Sequence, residues 1–391
     1  MDQSSNFLAM PHVVVACATF KGTLTSREAG ESVVRALTAL NMRSKLVVLA
    51  DGGEGLVEAL ASQVKGALMV GAPCRCPLQH PRTATFAVLP RNARRKSSIA
   101  VIEMAASSGL TLVPEAQRDP KFATSLGVGD QILAALEHQG GALEILLGLG
   151  GSATNDGGAG MAQALGARLL DKDGRDLPPG GAALLKLDRI DVSAMDARVR
   201  QTPVTVACDV AAPLCGPAGA TYVFGRQKGA APDDLKLLDE ALAHYARIIE
   251  RDLGKSVANI PGAGAAGGLG AGCLAFLNAR LQPGIELVLD AVDFDRTLGN
   301  AIMVITGEGM LDDQTLMGKA PAGVASRARK AGIRCVAIGG SIDAAHRARL
   351  TGAFDVIESL SEFAGSSDAA MREPALCLEE LVREKAREWA R

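Results

Sequence analysis

The chain has 391 residues, too many for one ordinary domain, so we expect two or three. Hydrophobic residues make up 48% and charged residues 21%, values typical of a globular protein with a large core. Because the formal net charge is −2 and aromatic residues make up only 3%, the chain lacks the basic field and stacking surfaces that nucleic acid binding uses, and we expect no nucleic acid partner.

No run of about 20 apolar residues occurs, so we expect no membrane span. The segment Met1–Pro11 lacks the basic and apolar parts of a signal peptide. The eight cysteines contain no C-x-x-C pair, which favours reduced core thiols in a cytoplasmic protein. The five histidines show no metal-binding spacing, which argues against a zinc centre.

The chain begins with a β-α-β pattern. His12–Cys17 is rich in β-branched residues, and Thr25 and Glu28 have the spacing of a capping box before a helix. Lys45–Leu49 is the next predicted strand and ends in the letters A-D-G-G-E-G. This order predicts a parallel sheet with ligand-binding loops at the carboxyl ends of its strands.

The remaining predicted elements alternate between strands and helices. The strands are Thr83–Leu89 paired with Ile99–Met104, then Leu143–Leu147, Val204–Cys208, Ile302–Thr306, Arg334–Ile338 and Phe354–Ile357. The helices are Met161–Leu170, Asp233–Leu253, an apolar segment Leu274–Leu281, one from about Ala322, Asp343–Leu350 and Pro374–Trp389.

These elements predict an α/β protein of two α/β domains. A Rossmann-like parallel-sheet domain is built from both chain ends, residues 1–75 and 285–391, and a mixed α/β domain, residues 76–284, is inserted between them. We expect the active site in the cleft between the two domains.

Seven segments combine a strand end, glycines and polar residues, a pattern that indicates a large polar ligand. They are Phe20–Thr23, Asp51–Gly55, Gly150–Gly158, Cys208–Asp209 with Gly225–Gly229, Pro261–Gly268, Thr306–Gly309 with Asp312, Gln314 and Gly318–Lys319, and Gly339–Ser341. The segment Gly148–Gly158 is the most informative, because a glycine-rich turn that enters a helix is suited to hold an anion.

The charged residues of these segments have two interpretations. Lys21, Lys228 and Lys319 are either solvated or placed to stabilise phosphoryl transfer, although none lies in a P-loop motif. The carboxylates of these segments either cap helices or bind magnesium and accept a proton. Capping is favoured at Asp51 and Asp156, which open helical segments. The full set is Asp51, Glu54, Asp156, Asp209, Glu308 and Asp312.

Two further segments could be structural or functional. Gly262–Gly272 contains six glycines in eleven residues, and its interleaved alanines favour a close-packed turn under a ligand over a flexible linker. Glu103 ends an apolar strand, where an unpaired carboxylate would be costly, so we hold it as a secondary site residue.

In this order the segments resemble the bacterial glycerate kinase family, in its glycerate 2-kinase branch, from about His12 to the last helix. The matching letters are F-K-G-T-L-T-S, A-D-G-G-E-G, I-E-M-A-A-S-S-G-L, G-L-G-G-S-A-T-N-D-G-G-A-G-M, V-A-C-D-V, Q-K-G-A, P-G-A-G-A-A-G-G-L-G and V-I-T-G-E-G. The resemblance implies ATP-dependent phosphorylation of D-glycerate to 2-phosphoglycerate, with Mg²⁺, in the cytoplasm. A homo-oligomer is compatible with the sequence, although no dimer seam is evident.

Within this resemblance we assign roles to residues of the matching segments. Asp156 or Asp209 receives the hydroxyl proton, and Lys21 completes the catalytic set. Asp51, Glu308 and Asp312 are the metal ligands. The substrate- and nucleotide-binding residues are Gly150, Gly151, Ser152, Thr154, Asn155, Gln227, Lys228, Gly264, Gly267, Gly268, Gln314 and Lys319.

The chain departs from the family pattern at four positions. Ala18 stands in place of an aspartate, Ala212 of an asparagine, Arg226 of a proline and Met310 of an arginine. The changes at Ala18 and Met310 remove charges and motivate two alternatives: a related sugar-acid kinase or 3-phosphoglycerate-forming enzyme, and a non-catalytic ligand-binding descendant. A nicotinamide-dependent dehydrogenase is disfavoured, because no G-x-G-x-x-G follows the first strand.

Overall fold

The structure is a computed structural model that describes residues 10–50, 52–92, 96–138 and 143–391. The chain divides into two compact units, Met1–Asp51 with Ile285–Arg391, and Gly52–Gly284. The second boundary coincides with the predicted one, whereas the first lies after residue 51 and not after 75. The reason is that Leu68–Arg75 is a strand of the second unit and pairs along its length with Pro81–Leu89.

The strands, in chain order, are β1 His12–Cys17, β2 Ser44–Leu46, β3 Leu68–Arg75, β4 Pro81–Leu89, β5 Ser98–Glu103, β6 Leu143–Gly148, β7 Arg168–Leu170, β8 Arg189–Asp191, β9 Val204–Ala207, β10 Arg280–Gln282, β11 Ala301–Leu311, β12 Arg334–Ile342 and β13 Val356–Ser359.

The α-helices are α1 Ser26–Ala39, α2 Leu56–Ala61, α3 Ala105–Ser108, α4 Leu126–Glu137, α5 Ala159–Ala164, α6 Ala197–Gln201, α7 Ala220–Phe224, α8 Pro232–Leu253, α9 Ala265–Phe276, α10 Gly284–Ala291, α11 Phe294–Leu298, α12 Asp313–Leu316, α13 Ala320–Lys330, α14 Arg347–Ala353, α15 Leu360–Phe363, α16 Ser367–Arg372 and α17 Pro374–Trp389. Short 3₁₀ segments lie at Leu110–Leu112, Glu115–Gln117, Gly181–Lys186 and Arg226–Lys228.

The first unit contains a five-stranded parallel sheet of order β13-β12-β11-β1-β2. Every residue of β1 is buried, as expected for a parallel strand covered on both faces. Helix α1 begins with the predicted capping box between Thr25 and Glu28. Its apolar face, which includes Val33 and Leu37, packs in one core with that of α17. The strand order is that of a doubly wound fold, which confirms the predicted Rossmann-like architecture.

The second unit contains a mixed six-stranded sheet of order β10-β9-β6-β5-β4-β3. Strands β5, β6, β9 and β10 are parallel, while β3, β4 and β5 pair antiparallel. Its core includes Phe86, Ile102, Leu147 and Tyr245. The predicted mixed α/β class of the inserted part is therefore confirmed, and β7 and β8 form a separate two-stranded sheet.

Several predicted element boundaries are wrong. The segments at Gly307–Gly309 and Gly339–Gly340 lie inside β11 and β12, because parallel pairing continues to Leu311 and Ile342. The helix predicted over Met161–Leu170 ends at Ala164, since a left-handed Gly166 follows and Arg168–Leu170 pairs with β8.

The helix predicted over Leu274–Leu281 is also wrong. Helix α9 ends at Phe276, after which Asn278 is left-handed and Arg280–Gln282 joins β9 as an edge strand. In the first unit β2 ends at Leu46 instead of Leu49. Pairing with a neighbouring strand decides each of these limits, and neighbouring strands are distant in sequence.

All eight cysteines lie in the described part of the chain, and all are free thiols. Six are buried, and burial alone raises the pKa of the Cys17 thiol to about 12. In the described ranges no helix is both long and apolar enough to cross a membrane.

Candidate functional site

In the first unit, the carboxyl ends of β1, β11 and β12 bring three of the glycine-containing segments together. The Ala18 N–H donates to the Gly307 carbonyl over 2.8 Å. A Cβ on Gly309 would lie 3.0 Å from the backbone nitrogen of Lys21, and one on Gly340 would lie 2.5 Å from the Gly309 carbonyl oxygen. Strands β1 and β11 are neighbours where the strand order reverses, the usual ligand site of an open parallel sheet.

A group of carboxylates and one lysine lies at this edge of the sheet. The Thr315 hydroxyl donates to Glu308 Oε1 over 2.6 Å, and the Asp312 carboxylate caps α12 by accepting from the Thr315 N–H over 3.0 Å. Lys319 Nζ lies 3.8 Å from Glu308 Oε2 and 3.8 Å from Asp312 Oδ1. Burial raises the pKa of the Glu308 carboxyl, and the Thr315 bond and the Lys319 charge counteract it.

The predicted metal ligands can be compared with this group. Within the described residues, no three carboxylate, histidine or cysteine side chains form a metal site by themselves. Glu308 and Asp312 are a pair of oxygen donors, and Mg²⁺ is commonly held by one or two carboxylates together with phosphate oxygens. Asp51 lies outside the described residues. The side chains of Lys21 and Gln314 are exposed at this edge of the unit.

In the second unit, the segments that follow β6 and precede α2 pack backbone against backbone. A Cβ on Gly148 would lie 2.3 Å from the Gly52 carbonyl oxygen, and one on Gly150 would lie 2.4 Å from the Gly53 Cα. Gly151 is left-handed, with φ of +67°. Glycine is therefore favoured at Gly148 and Gly150 by close approach and at Gly151 by its backbone angle, which explains this part of the motif in physical terms.

The glycine-rich start of α9 lies under the same turn. Ala266, Gly267 and Gly268 have positive φ angles of 54°, 69° and 88°. A Cβ on Gly267 would lie 1.9 Å from the Thr154 carbonyl oxygen, and the Gly267 carbonyl accepts from the Gly157 N–H over 3.0 Å. The expectation of a close-packed turn in Gly262–Gly272 is confirmed, and the linker interpretation is wrong.

Asp156 is fully buried beneath the turn, and both of its oxygens act as hydrogen-bond acceptors. Oδ2 accepts from the Ser125 N–H and hydroxyl, at 2.8 and 2.9 Å, and from the Thr124 hydroxyl and the Gly160 N–H. Oδ1 accepts from the Gly158 N–H over 3.1 Å. Burial raises the pKa of the Asp156 carboxyl, and these donors counteract it. The arrangement is that of a carboxylate that ties α4 to the start of α5.

Lys228 and Asn155 are buried in the same region. Lys228 Nζ donates to Ser152 Oγ over 2.7 Å and to the Thr154 carbonyl over 2.8 Å. Burial lowers the pKa of Lys228 to about 7, against the field of Asp156, which raises it. Asn155 Nδ2 donates to Thr221 Oγ1 over 2.9 Å, while Asn155 Oδ1 accepts no hydrogen bond from the described residues.

Asp209 follows β9 and, unlike Asp156, has an exposed side chain. Its Oδ1 accepts from the Gly284 N–H over 2.8 Å. Gln227 is also exposed, next to the buried Lys228. A Cβ on Gly264 would lie 2.1 Å from the Pro213 carbonyl oxygen, so this glycine too is required by close packing.

Glu103 has a structural explanation. Helix α2 begins after a left-handed Gly55 that has no capping side chain, and the Val57 N–H donates to Glu103 Oε1. The carboxylate therefore caps α2 from a neighbouring strand, as the cost of an unpaired buried charge requires.

The sequence interpretation missed the hydroxyl residues that support these groups. They are Thr124, Ser125, Thr221 and Thr315. The pair Thr124-Ser125 directly precedes α4, so the usual signature of a helix start indicated a polar cluster there. Thr221 carries no such signal, because its partner Asn155 is distant in sequence.

Fold and site together define a class of protein. The first unit has a doubly wound sheet with lysine and carboxylates at its reversal point, and the second has glycine-rich backbone turns at parallel strand ends. Such elements bind polar, anionic small molecules.

The chain belongs to the glycerate kinase family, whose model matches residues 13–390, and the predicted resemblance is thereby confirmed. It is 44% identical to the glycerate kinase of Halalkalibacterium halodurans over 96% of this chain and 97% of that protein. It is 41% identical to the glycerate 2-kinase of Escherichia coli over 92% of this chain and 93% of that protein.

A crystal structure from Salmonella typhimurium LT2, described as a glycerate kinase 2, has the same fold. The TM-score is 0.81 at 39% identity, and the match covers 97% of this chain and 98% of that one. The protein is thus an enzyme of the glycerate kinase family, as the motifs predicted.

Proposed function

We propose that the protein transfers the γ-phosphoryl group of ATP to D-glycerate and forms 2-phosphoglycerate. The observation that carries the proposal is the family match over residues 13–390, together with the 41% identical relative named glycerate 2-kinase. That relative's name supports the 2-hydroxyl as acceptor, and the free cysteines of the chain support a reducing, cytoplasmic location.

Phosphoryl transfer needs cations where charge develops on the phosphate oxygens. Lys319 and Lys21 are the lysines of the first unit that meet this need, since both lie near the reversal point of its sheet. Glu308 and Asp312 would hold Mg²⁺, which neutralises charge on the nucleotide phosphates when bound. In this proposal Thr315 orients the Glu308 carboxylate through its hydroxyl.

A base must receive the proton of the glycerate hydroxyl, and the sequence left Asp156 and Asp209 as candidates. Asp209 is exposed, whereas Asp156 is fully buried and accepts from donors of its own unit at both oxygens. A general base must reach the proton that it accepts, so the difference in burial favours Asp209. We assign the structural role to Asp156.

The base assignment is tested by a matched pair of variants. Asp209→Asn should lower kcat by about 10²- to 10⁴-fold and leave the urea unfolding midpoint unchanged. Asp156→Asn should lower the unfolding free energy, because a buried network loses its charged acceptor. Near-normal turnover of Asp209→Asn, with a collapse of turnover in a stably folded Asp156→Asn, would reverse the assignment.

The reaction itself is tested by ADP release with Mg-ATP and D-glycerate, with the product identified by phosphorus NMR. Formation of 2-phosphoglycerate is expected. Formation of 3-phosphoglycerate would keep the kinase and correct the hydroxyl. Binding of ATP without turnover on glycerate or close analogues would favour a non-catalytic descendant, and Ala18→Asp would then be the first variant to restore charge.

A further inference from the structure

The buried amine of Lys228 contacts the turn that follows β6 at two adjacent points. Lys228 is only 2% exposed, and its Nζ bonds are made to the Ser152 hydroxyl and the Thr154 carbonyl. Ser152, at 8% exposed, is less deeply buried than the amine that it contacts. Lys228 is therefore placed to act through Ser152 and not on a ligand directly.

Among the described residues, few charged groups lie near this amine. Asp156 is the one of them whose field acts on the pKa of Lys228, and the same carboxylate raises the pKa of the buried Tyr245. The backbone of Arg118 packs against Gly229, and its guanidinium Nε donates away, to the Val113 carbonyl. A charged Lys228 thus offsets part of the Asp156 charge, and a neutral Lys228 does not.

The protonation state of Lys228 also decides which way the Ser152 hydroxyl points. A charged ammonium has donors and no acceptor, so Ser152 Oγ must accept from it and its own hydrogen is directed elsewhere. A neutral amine keeps two N–H donors and gains a lone pair, so Ser152 can then donate into it. The charged state therefore keeps the Ser152 hydrogen available to an anion, whereas the neutral state lets it turn inward to the amine.

We propose that Lys228 is a positioning residue that, when charged, turns the Ser152 hydroxyl outward as a donor to an anionic oxygen of the bound substrate or nucleotide. The inference rests on the proposed function, because glycerate carboxylate and ATP phosphate are the two anions that the reaction supplies. Both share the chemistry of a charged oxygen acceptor, and hydrogen bonds to such acceptors are the stronger ones.

The direction of the pH dependence follows. Since burial lowers the pKa of Lys228 to about 7, the amine loses its proton as the pH rises through neutrality. Affinity for one of the two anions should fall by about tenfold between about pH 6 and about pH 8.5.

The test measures KM for Mg-ATP and for D-glycerate separately at both pH values, in the wild type and in Ser152→Ala, Ser152→Thr and Lys228→Met. Ser152→Ala and Lys228→Met should lose the pH-dependent part of the KM for one substrate, and Ser152→Thr, which keeps a hydroxyl, should retain it. Lys236→Met, at an exposed lysine of α8, is the control for loss of a positive charge. The substrate whose KM responds identifies the anion.

Ionisation of the substrates affects all variants equally, so the difference between wild type and Ser152→Ala isolates the effect of the hydroxyl. A pH dependence that is unchanged in Ser152→Ala would overturn the proposal, as would a wild type whose two KM values do not depend on pH. If Lys228→Met does not fold, Ser152→Ala decides alone. If glycerate is not turned over, the proposed function fails, and calorimetric binding of ATP and of glycerate at the two pH values still tests this inference.

Discussion

The substitution Gly267→Ala tests the packing of the two glycine-rich segments in the second unit. The new methyl group would lie 1.9 Å from the Thr154 carbonyl oxygen and 2.8 Å from the Asn155 Cα, and both neighbours are backbone. The residue also has a φ of +69°, which costs a non-glycine residue about 1–2 kcal/mol. Forced displacement of packed backbone adds about 1–3 kcal/mol. We therefore expect a loss of about 2–5 kcal/mol in the free energy of unfolding.

Gly254→Ala is the matched control. Gly254 ends α8 with a φ of +68°, almost the same angle, but a Cβ there would meet nothing within 4 Å. It should lose only the conformational part, about 1–2 kcal/mol. Urea unfolding gives the loss of unfolding free energy in both variants. The difference between the two losses measures the clash of the new methyl group with the Thr154 and Asn155 backbone.

Displacement of the Thr154 carbonyl oxygen should also affect the reaction, because Lys228 Nζ donates a hydrogen bond to that oxygen. We expect kcat/KM to fall by about 100-fold in Gly267→Ala and to change little in Gly254→Ala. Equal unfolding free energies for the two variants would refute the packing argument. Full activity in a destabilised Gly267→Ala variant would show that the position of this turn does not affect the reaction.

Two further predictions concern carboxylates and their partners. Lys319→Met should lower kcat by about 10²- to 10³-fold, because the charge that we propose for the phosphate oxygens is lost. Lys330→Met, at an exposed lysine of α13, should not lower kcat, and steady-state kinetics of both variants check this. Burial raises the pKa of Glu103 above its ordinary value of 4.5. Just above pH 4.5 the folded chain therefore keeps a proton on Glu103 that the unfolded chain has lost, so the contribution of this group to the unfolding free energy falls as pH rises through that window. Glu103→Gln should remove this contribution and change the slope measured in urea titrations accordingly, and an identical slope in the variant would contradict the assignment.

Local patterns in the sequence determined much of this fold. The strand His12–Cys17, the capping box at Thr25 and the last helix Pro374–Trp389 occur as predicted. Each depends on residues within one element, where burial periodicity and capping act over a few positions. The order of the elements sufficed for a parallel sheet built from both chain ends, and the motifs sufficed for the family.

Interactions between distant segments decided the rest. The sequence could not decide whether Asp156 or Asp209 is the base, because both are aspartates that follow a predicted strand or a glycine-rich turn. They differ only in three dimensions, where Thr124 and Ser125 donate to Asp156 and the turn buries it. The extension of β11 through Glu308 depends on its pairing with β12. The expected cleft between the two domains stays a prediction.

Lys228 is the clearest case of a residue whose environment the sequence could not predict. In the sequence it is one of three lysines beside glycines, each of which is solvated by default and is also suited to bind phosphate. Only the tertiary structure places its amine against Ser152 and Thr154, some 75 positions away along the chain, and removes it from water. The sequence determines which ionisable groups the chain carries. The tertiary structure determines which of them are removed from water, and this desolvation shifts their pKa values and so sets their charge.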